Sequence, residues 1–173
     1  TIKTIQKLKN MNINIHMFTG DTKEKATEIA QQVGIDNINY SMLPSDKYTY
    51  LEEIIKKKTE KSIVSFVGDG INDAPVLKLS DLGISMGSLG TDSAIEASDV
   101  VIMNDNLEKI VTAINISKKT NKIIKENLIF ALGVKLLVLV LTLIGISTML
   151  EAVFADVGVT VLCILNTLRL LKK

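Results

Sequence analysis

From Leu128 to Leu150 runs an apolar stretch with Lys135 its only charge, and from Ala152 to Leu168 another with Asp156 its only charge. A helix needs roughly 20 such residues to cross a bilayer. Lipid also forbids any open strand or loop with unsatisfied backbone groups. The two runs therefore predict a pair of transmembrane helices with a short turn near Gly145 and Ile146. A helical hairpin buried in a soluble protein is the alternative, and the first run is longer than such a hairpin needs. Lys118, Lys119, Lys122 and Lys125 precede the first run, Arg169, Lys172 and Lys173 follow the second, and the connection carries no positive charge. The positive-inside rule then puts both outer ends in the cytoplasm and the connection outside.

The residues before Asn127 have a mixed, lysine-rich globular composition. The 173 residues carry a net charge of +1, which gives no electrostatic case for a nucleic-acid partner. A single cysteine excludes a disulfide within the chain. Ile2, Ile5 and Leu8 already sit at helical spacing behind Thr1, so a piece of a longer protein is expected. Strands are predicted at Ile13–Phe18, Ser62–Val67, Leu82–Met86 and Val100–Met103. Helices are predicted from Asp21 to about Val33, where Gly34 stops the helix, from Pro44-Ser45-Asp46 to Lys58, and from Asp92 to Ala97. Asp21, with Glu24 three residues on, is expected to cap the first of these. Leu107, Ile110, Val111 and Ile114 mark one face of a further helix, followed by a helical stalk into the first span. Strands alternating with helices predict a mainly parallel sheet of βαβ units.

In such sheets ligands bind beyond the carboxyl ends of the strands. Thr19-Gly20-Asp21 falls at one such end. Gly68-Asp69-Gly70-Ile71-Asn72-Asp73-Ala74-Pro75 falls at another, with two carboxylates and an amide in one loop. Hard oxygen donors of this kind suit Mg²⁺, and Gly68 and Gly70 let the backbone turn and approach a phosphate. Lys135 and Asp156 form a second candidate site. Each lies about ten residues from the predicted turn, roughly 15 Å along a helix, which is near the middle of a hydrocarbon core about 30 Å thick. An ionisable group there is functional by default. Asp156 is expected to ligate a divalent cation and Lys135 to replace that cation when it leaves; a purely structural ion pair is the alternative. His16 reads as an ordinary strand residue and Cys163 as a small apolar filler.

Thr19-Gly20-Asp21, Pro44-Ser45-Asp46-Lys47 and Gly68 to Pro75, in this order before membrane helices, resemble the C-terminal part of a P-type ATPase. Gly83-Ile84-Ser85-Met86-Gly87, Gly90-Thr91-Asp92 and Ala94 to Asp99 extend the resemblance. Asn127 with Lys135, Glu151 to Gly158, and Asn166-Thr167-Leu168-Arg169-Leu170 resemble the zinc-, cadmium- and lead-exporting branch. The Tyr-Asn and Met-Ser-Ser patterns of copper pumps are not present. The resemblance implies an α/β, haloacid-dehalogenase-like (Rossmann-like) parallel-sheet domain followed by a two-helix transmembrane hairpin. Residues 1–106 would be the C-terminal portion of the phosphorylation domain, 107–126 a helical stalk, and 127–171 the last two transmembrane helices.

The same resemblance implies roles for single residues. Asp69 would be the main Mg²⁺ ligand, with Asp73 supporting it and Asn72 bonding phosphate oxygen. Lys47 would place a positive charge beside the phosphoryl group. Thr19 would offer its hydroxyl and Gly20 its N–H to phosphate, while Asp21 would contact nucleotide or a hinge. Asp156 and Lys135 would serve the transported Zn²⁺, Cd²⁺ or Pb²⁺. ATP would be the substrate of the intact pump, in a multi-pass protein of the plasma membrane. Its partners would be the lipid bilayer and the nucleotide-binding domain, actuator domain and other membrane helices of the same pump. The Asp-Lys-Thr-Gly-Thr segment that carries the phosphorylated aspartate in this family is not among these residues, so the chain alone is expected to be inactive. A membrane-anchored regulatory remnant and a haloacid-dehalogenase-type phosphatase are the competing readings.

Overall fold

The computed structural model describes residues 1–69, 72–87, 92–104, 106–146 and 148–171. Gly70, Ile71, Gly90, Thr91, Lys172 and Lys173, which the sequence reading singled out, lie outside the described residues. The chain divides into two compact units, Thr1–Val111 and Thr112–Lys173.

The first unit is α/β. Its order is α1 (Ile2–Asn10), β1 (His16–Phe18), α2 (Lys23–Val33), β2 (Asn37–Asn39), α3 (Pro44–Lys57), β3 (Ser65–Gly68), α4 (Ala74–Leu79), β4 (Leu82–Met86), α5 (Asp92–Ala97) and β5 (Val100–Ile102). The strands pair in parallel throughout, as β1-β2 and as β3-β4-β5. Two of the expected strands are shorter than predicted. β1 starts at His16 rather than Ile13, because its ladder partner β2 offers only three residues. β3 starts at Ser65 rather than Ser62. The Ser62 N–H closes a turn on the Thr59 carbonyl, and the Val64 N–H donates to Asp81. That Asp81 carboxylate also pairs with Lys58, which with the Val64 N–H holds its pKa below the ordinary carboxylate range.

Helix termini follow local chemistry. Gly34 takes a left-handed φ of 80° as α2 ends. Pro75 occupies the first turn of α4. Asp21 does not cap α2: Thr22 is the N-cap residue and no side chain caps it. The Asp21 carboxylate is drawn instead to Thr19 and Lys25.

The core of this unit is built on α4. Val76 and Leu77 are buried with Leu51 of α3, Ile84 of β4 and Ile102 of β5. Helix α4 lies so close to β4 that a Cβ at Gly83 would stand 2.7 Å from the Leu77 carbonyl oxygen. Ser85 is buried beside it and shares a 3.0 Å hydrogen bond with Ser98. Ile110 and Val111, two of the predicted apolar face, are buried as the spacing required.

The second unit consists of most of α6 (Glu108–Leu143), α7 (Met149–Thr167) and a closing 3-10 turn at Leu168–Leu170. Among the described residues these are the two helices long and apolar enough to cross a membrane. The first helix ends at Leu143, and the chain turns where the sequence predicted, with Gly145 at φ +78°. α7 then opens on a capping box in which Thr148 accepts from the Glu151 N–H while the Glu151 carboxylate accepts from the Thr148 N–H.

Gly83→Ala should cost about 1–3 kcal/mol, the usual range for overpacking a core, since backbone rather than a flexible side chain blocks the new methyl. Hydrogen exchange of the β4 amides and denaturant titration would measure it. A variant as stable as the parent would show that α4 can shift away from β4.

Candidate functional site

The two predicted loops lie at carboxyl ends of parallel strands. Phe18, the last residue of β1, sets its ring edge-on to Tyr50 of α3 at 5.4 Å and 6.2 Å from the ring of Phe66 in β3. Three aromatic side chains thus fasten β1, α3 and β3 together just beneath the loops that follow them.

α3 begins at Pro44, with the Asp46 carboxylate accepting the Leu43 N–H at 2.9 Å. This cap directs the next residue, Lys47, towards the loop after β3. Its ammonium donates to Asp73 Oδ1 at 2.8 Å, and both side chains are largely enclosed. Asp73 is 7 % exposed. Its second oxygen lies where a side chain at Gly68 would be, 3.0 Å from a Cβ built there. Gly68 therefore serves the close approach of the Asp73 carboxylate to the end of β3. Asp69 and Asn72, by contrast, are exposed. The Asp69 carboxylate is not engaged by any described residue.

At the end of β1 the Thr19 hydroxyl donates to Asp21 Oδ2 at 3.0 Å and accepts the Asp21 N–H at 3.1 Å. Lys25 adds an ion pair to Asp21 at 3.2 Å. The Lys25 hydrogen bond, then that from Thr19, hold the Asp21 carboxyl below its ordinary pKa. The backbone of this loop is tied to the residues after β2 by Ser41 N–H to Asp21 O and Met42 N–H to Thr19 O. Gly20 passes close to the Met42 carbonyl, which a Cβ would meet at 3.4 Å.

In the second unit Lys135 of α6 and Asp156 of α7 form an ion pair at 3.7 Å. The sequence reading missed what holds these helices in register. Asn127 donates to the Cys163 carbonyl and to the Thr167 hydroxyl, each at 3.2 Å. Asn166 donates to Asn127 Oδ1 at 2.8 Å. Arg169 donates to Glu126 at 3.0 Å and to Asn166 at 2.8 Å. The clue was polar residues at the borders of both apolar runs, but their pairing needs the fold.

Among the described residues no group of three or more His, Cys, Asp and Glu is placed to hold a metal ion. Asp69 and Asp73 nonetheless offer the oxygen chemistry Mg²⁺ takes. Asp69 is uncommitted, whereas one oxygen of Asp73 already holds Lys47. On the donor set, Asp69 fits the part of ligand and Asp73 a supporting part.

Residues 1–81 match the family model described as haloacid dehalogenase-like hydrolase. A zinc-transporting ATPase of Synechocystis is 45 % identical over 99 % of this chain and 24 % of its own length. A cadmium, zinc and cobalt-transporting ATPase of Bacillus subtilis is 44 % identical over 98 % of this chain, again 24 % of that protein. The crystal structure of a zinc-transporting PIB-type ATPase in its E2.Pi state superposes with a TM-score of 0.89 at 35 % identity, covering 99 % of this chain and 27 % of that one. The chain thus spans about a quarter of the length of the relatives it matches. Over nearly its whole length, hydrolase-like unit and apolar helix pair together, it matches the C-terminal part of these metal-transporting ATPases.

Proposed function

We propose that this chain is the C-terminal portion of an ATP-driven exporter of divalent heavy-metal ions. It supplies loops of the phosphoryl-transfer site and one charged pair of the ion path. The observation that carries this reading is that one solved zinc pump matches both units of the chain together, over 99 % of its residues. We assign 1–106 to the phosphorylation domain, 107–126 to a stalk and 127–171 to the last two membrane helices, in a multi-pass protein of the plasma membrane with its α/β unit in the cytoplasm. Zn²⁺ and Cd²⁺ are the proposed cargo, with Pb²⁺ in the same class.

Phosphoryl transfer requires positioning and neutralisation of charge on the transferred group. Asp69 is the proposed ligand of Mg²⁺, which supplies that neutralisation when bound. Lys47, fixed by Asp73, brings a second positive charge to the same loop. Thr19, Gly20 and Asn72 are the proposed phosphate contacts, and Asp21 keeps the Thr19 hydroxyl in place. The aspartate that is phosphorylated belongs to the remainder of the pump, as do the nucleotide-binding and actuator domains.

In the membrane, a carboxylate must be compensated by a cation. Asp156 has two candidates, the transported metal and Lys135. We propose that they alternate: metal displaces the lysine, and the lysine reclaims the carboxylate as metal leaves. The Asn127–Asn166 network keeps α6 and α7 in the register that lets Lys135 reach Asp156.

A chimera with this chain in place of the matching quarter of the Synechocystis zinc-transporting ATPase should form phosphoenzyme from ATP and show zinc-stimulated turnover. In it, Asp69→Ala should lower phosphoenzyme by on the order of 100-fold, the scale for losing one preorganised electrostatic group. Near-normal phosphoenzyme in that variant would remove Asp69 from the site.

The membrane pair predicts a split between binding and turnover. Asp156→Asn should weaken equilibrium metal binding at the membrane site and abolish metal-stimulated turnover. Lys135→Ala should leave binding intact and slow turnover. Asn127→Ala should have a smaller effect, since the three interhelical hydrogen bonds it removes contribute about 0.6 kcal/mol each. Unchanged binding and turnover in Asp156→Asn would leave the pair a structural one.

The isolated chain should hydrolyse neither ATP nor a phosphate ester. Mg²⁺-dependent hydrolysis that Asp73→Ala abolishes would revive the phosphatase reading.

A further inference from the structure

On the face of α6 turned away from Asn127, Lys118, Asn121, Lys122, Lys125, Glu126 and Ile129 line a shallow groove of about 440 Å³. Lys118, Lys122, Lys125 and Ile129 follow one another at i, i+4, i+7 and i+11. With 3.6 residues per turn they fall within about 60° of one line along the helix. Leu132 and Leu136 continue that line into the apolar stretch, and both are exposed. Asn127 projects about 180° from it, and Asn127 is bonded to α7. The stripe therefore lies on the side of α6 opposite this contact.

The three lysines are exposed and make no ion pair or hydrogen bond with a described residue. Glu126, the one acid in the groove, is already held by Arg169. The face thus presents uncompensated positive charge at one end and hydrocarbon at the other. From Lys125 to Leu136 is about 16 Å along the helix, close to the depth of one leaflet of a core about 30 Å thick.

We propose that this stripe is a binding site for an anionic phospholipid of the leaflet next to the lysines. The headgroup phosphate sits among Lys118, Lys122 and Lys125, and an acyl chain lies along Ile129, Leu132 and Leu136. The proposal rests on α6 spanning the membrane and on the other membrane helices of the proposed pump leaving this face open to lipid. It goes beyond the general preference for lysines on the cytoplasmic side, because it assigns the anion to one face of one helix and joins it to an apolar track. A phospholipid matches both halves of the stripe, whereas a soluble anion matches only the first.

The test uses the 173-residue chain in nanodiscs of phosphatidylcholine with a minor fraction of phosphatidylglycerol. Lipid retained on the chain is counted by native mass spectrometry, and both bilayer faces are open, so inverted insertion does not confuse the result. The parent should retain phosphatidylglycerol over phosphatidylcholine. Changing Lys118, Lys122 and Lys125 together to Gln should remove that preference, by about fivefold per lysine, with helix content unchanged. The triple Arg variant should keep it. Ile129→Gln should weaken retention without altering the salt dependence. A control with Lys56, Lys57 and Lys61 changed to Gln removes the same charge elsewhere and should leave the preference intact.

The proposal is overturned if the Gln triple variant keeps its preference, or if the control loses as much. It is overturned equally if inorganic phosphate displaces the lipid, which would make this a soluble-anion site. Two chains per disc that the Gln triple variant reduces to one would assign the face to self-association instead. Failure of the chain to enter phosphatidylcholine discs at all would contradict the membrane reading itself, a separate outcome.

Discussion

Asp73 cannot stand alone. A carboxylate with so little access to water must find a partner or give up its charge. Lys47 is that partner, and the pair ties the first turn of α3 to the loop between β3 and α4. Removing either member would leave the other charge uncompensated and largely enclosed, which is where buried pairs become costly. Much of the surrounding sequence follows from this one contact. Gly68 is needed because the carboxylate lies against it. Pro44 and Asp46 fix the start of α3 so that Lys47 arrives at the right place. Phe18, Tyr50 and Phe66 set the elements beneath at a constant spacing.

The same rule would govern the second unit in the proposed membrane. Hydrocarbon would offer Lys135 and Asp156 no water, so each would be the other's compensation. The helices that carry them gain little from apolar contact with one another, because lipid tails are equally apolar. Association must come from packing and hydrogen bonds. Asn127, Asn166 and Thr167, with Arg169 bonded to Glu126, supply those bonds at one end of the pair. At the other, the turn at Gly145 and the capping box of Thr148 and Glu151 fix the distance between the helices along the chain.

What could be read in the sequence was what repeats or what is chemically rare. β4 and α5 were legible to the residue, because short segments bounded on both sides by turn signals leave few choices. The two apolar runs and the break at Gly145 were legible for the same reason. β2 was not: Asn37-Ile38-Asn39 has no strand composition, and it is a strand only because β1 lies beside it. The cap of α2 misled because Asp21 obeys the local capping pattern, yet Thr19 and Lys25 compete for the same carboxylate and win. The residues themselves singled out Asp69, Asn72 and Asp73 only as a group; it was the family resemblance that divided their roles. Burial separates an exposed Asp69 from an enclosed Asp73, and burial is a property of the packed chain. The partnership of Lys47 with Asp73 joins residues 26 positions apart, a separation that no local pattern encodes.

The Lys47–Asp73 and Lys135–Asp156 pairs differ in a way that matches their proposed parts. Lys47 and Asp73 meet at 2.8 Å, largely enclosed by protein. Such a pair is costly to open, so it suits a fixed element that presents a positive charge and leaves Asp69 available. Lys135 and Asp156 stand at 3.7 Å and are open on the surface of the helix pair. At that distance the carboxylate keeps an unshared side from which a divalent ion can approach. In the proposed exchange, a metal ion arriving there would repel the lysine while satisfying the acid, so neither state would leave Asp156 bare. The tight pair can hold geometry and the loose one can exchange partners, and the proposed transport cycle would draw on both.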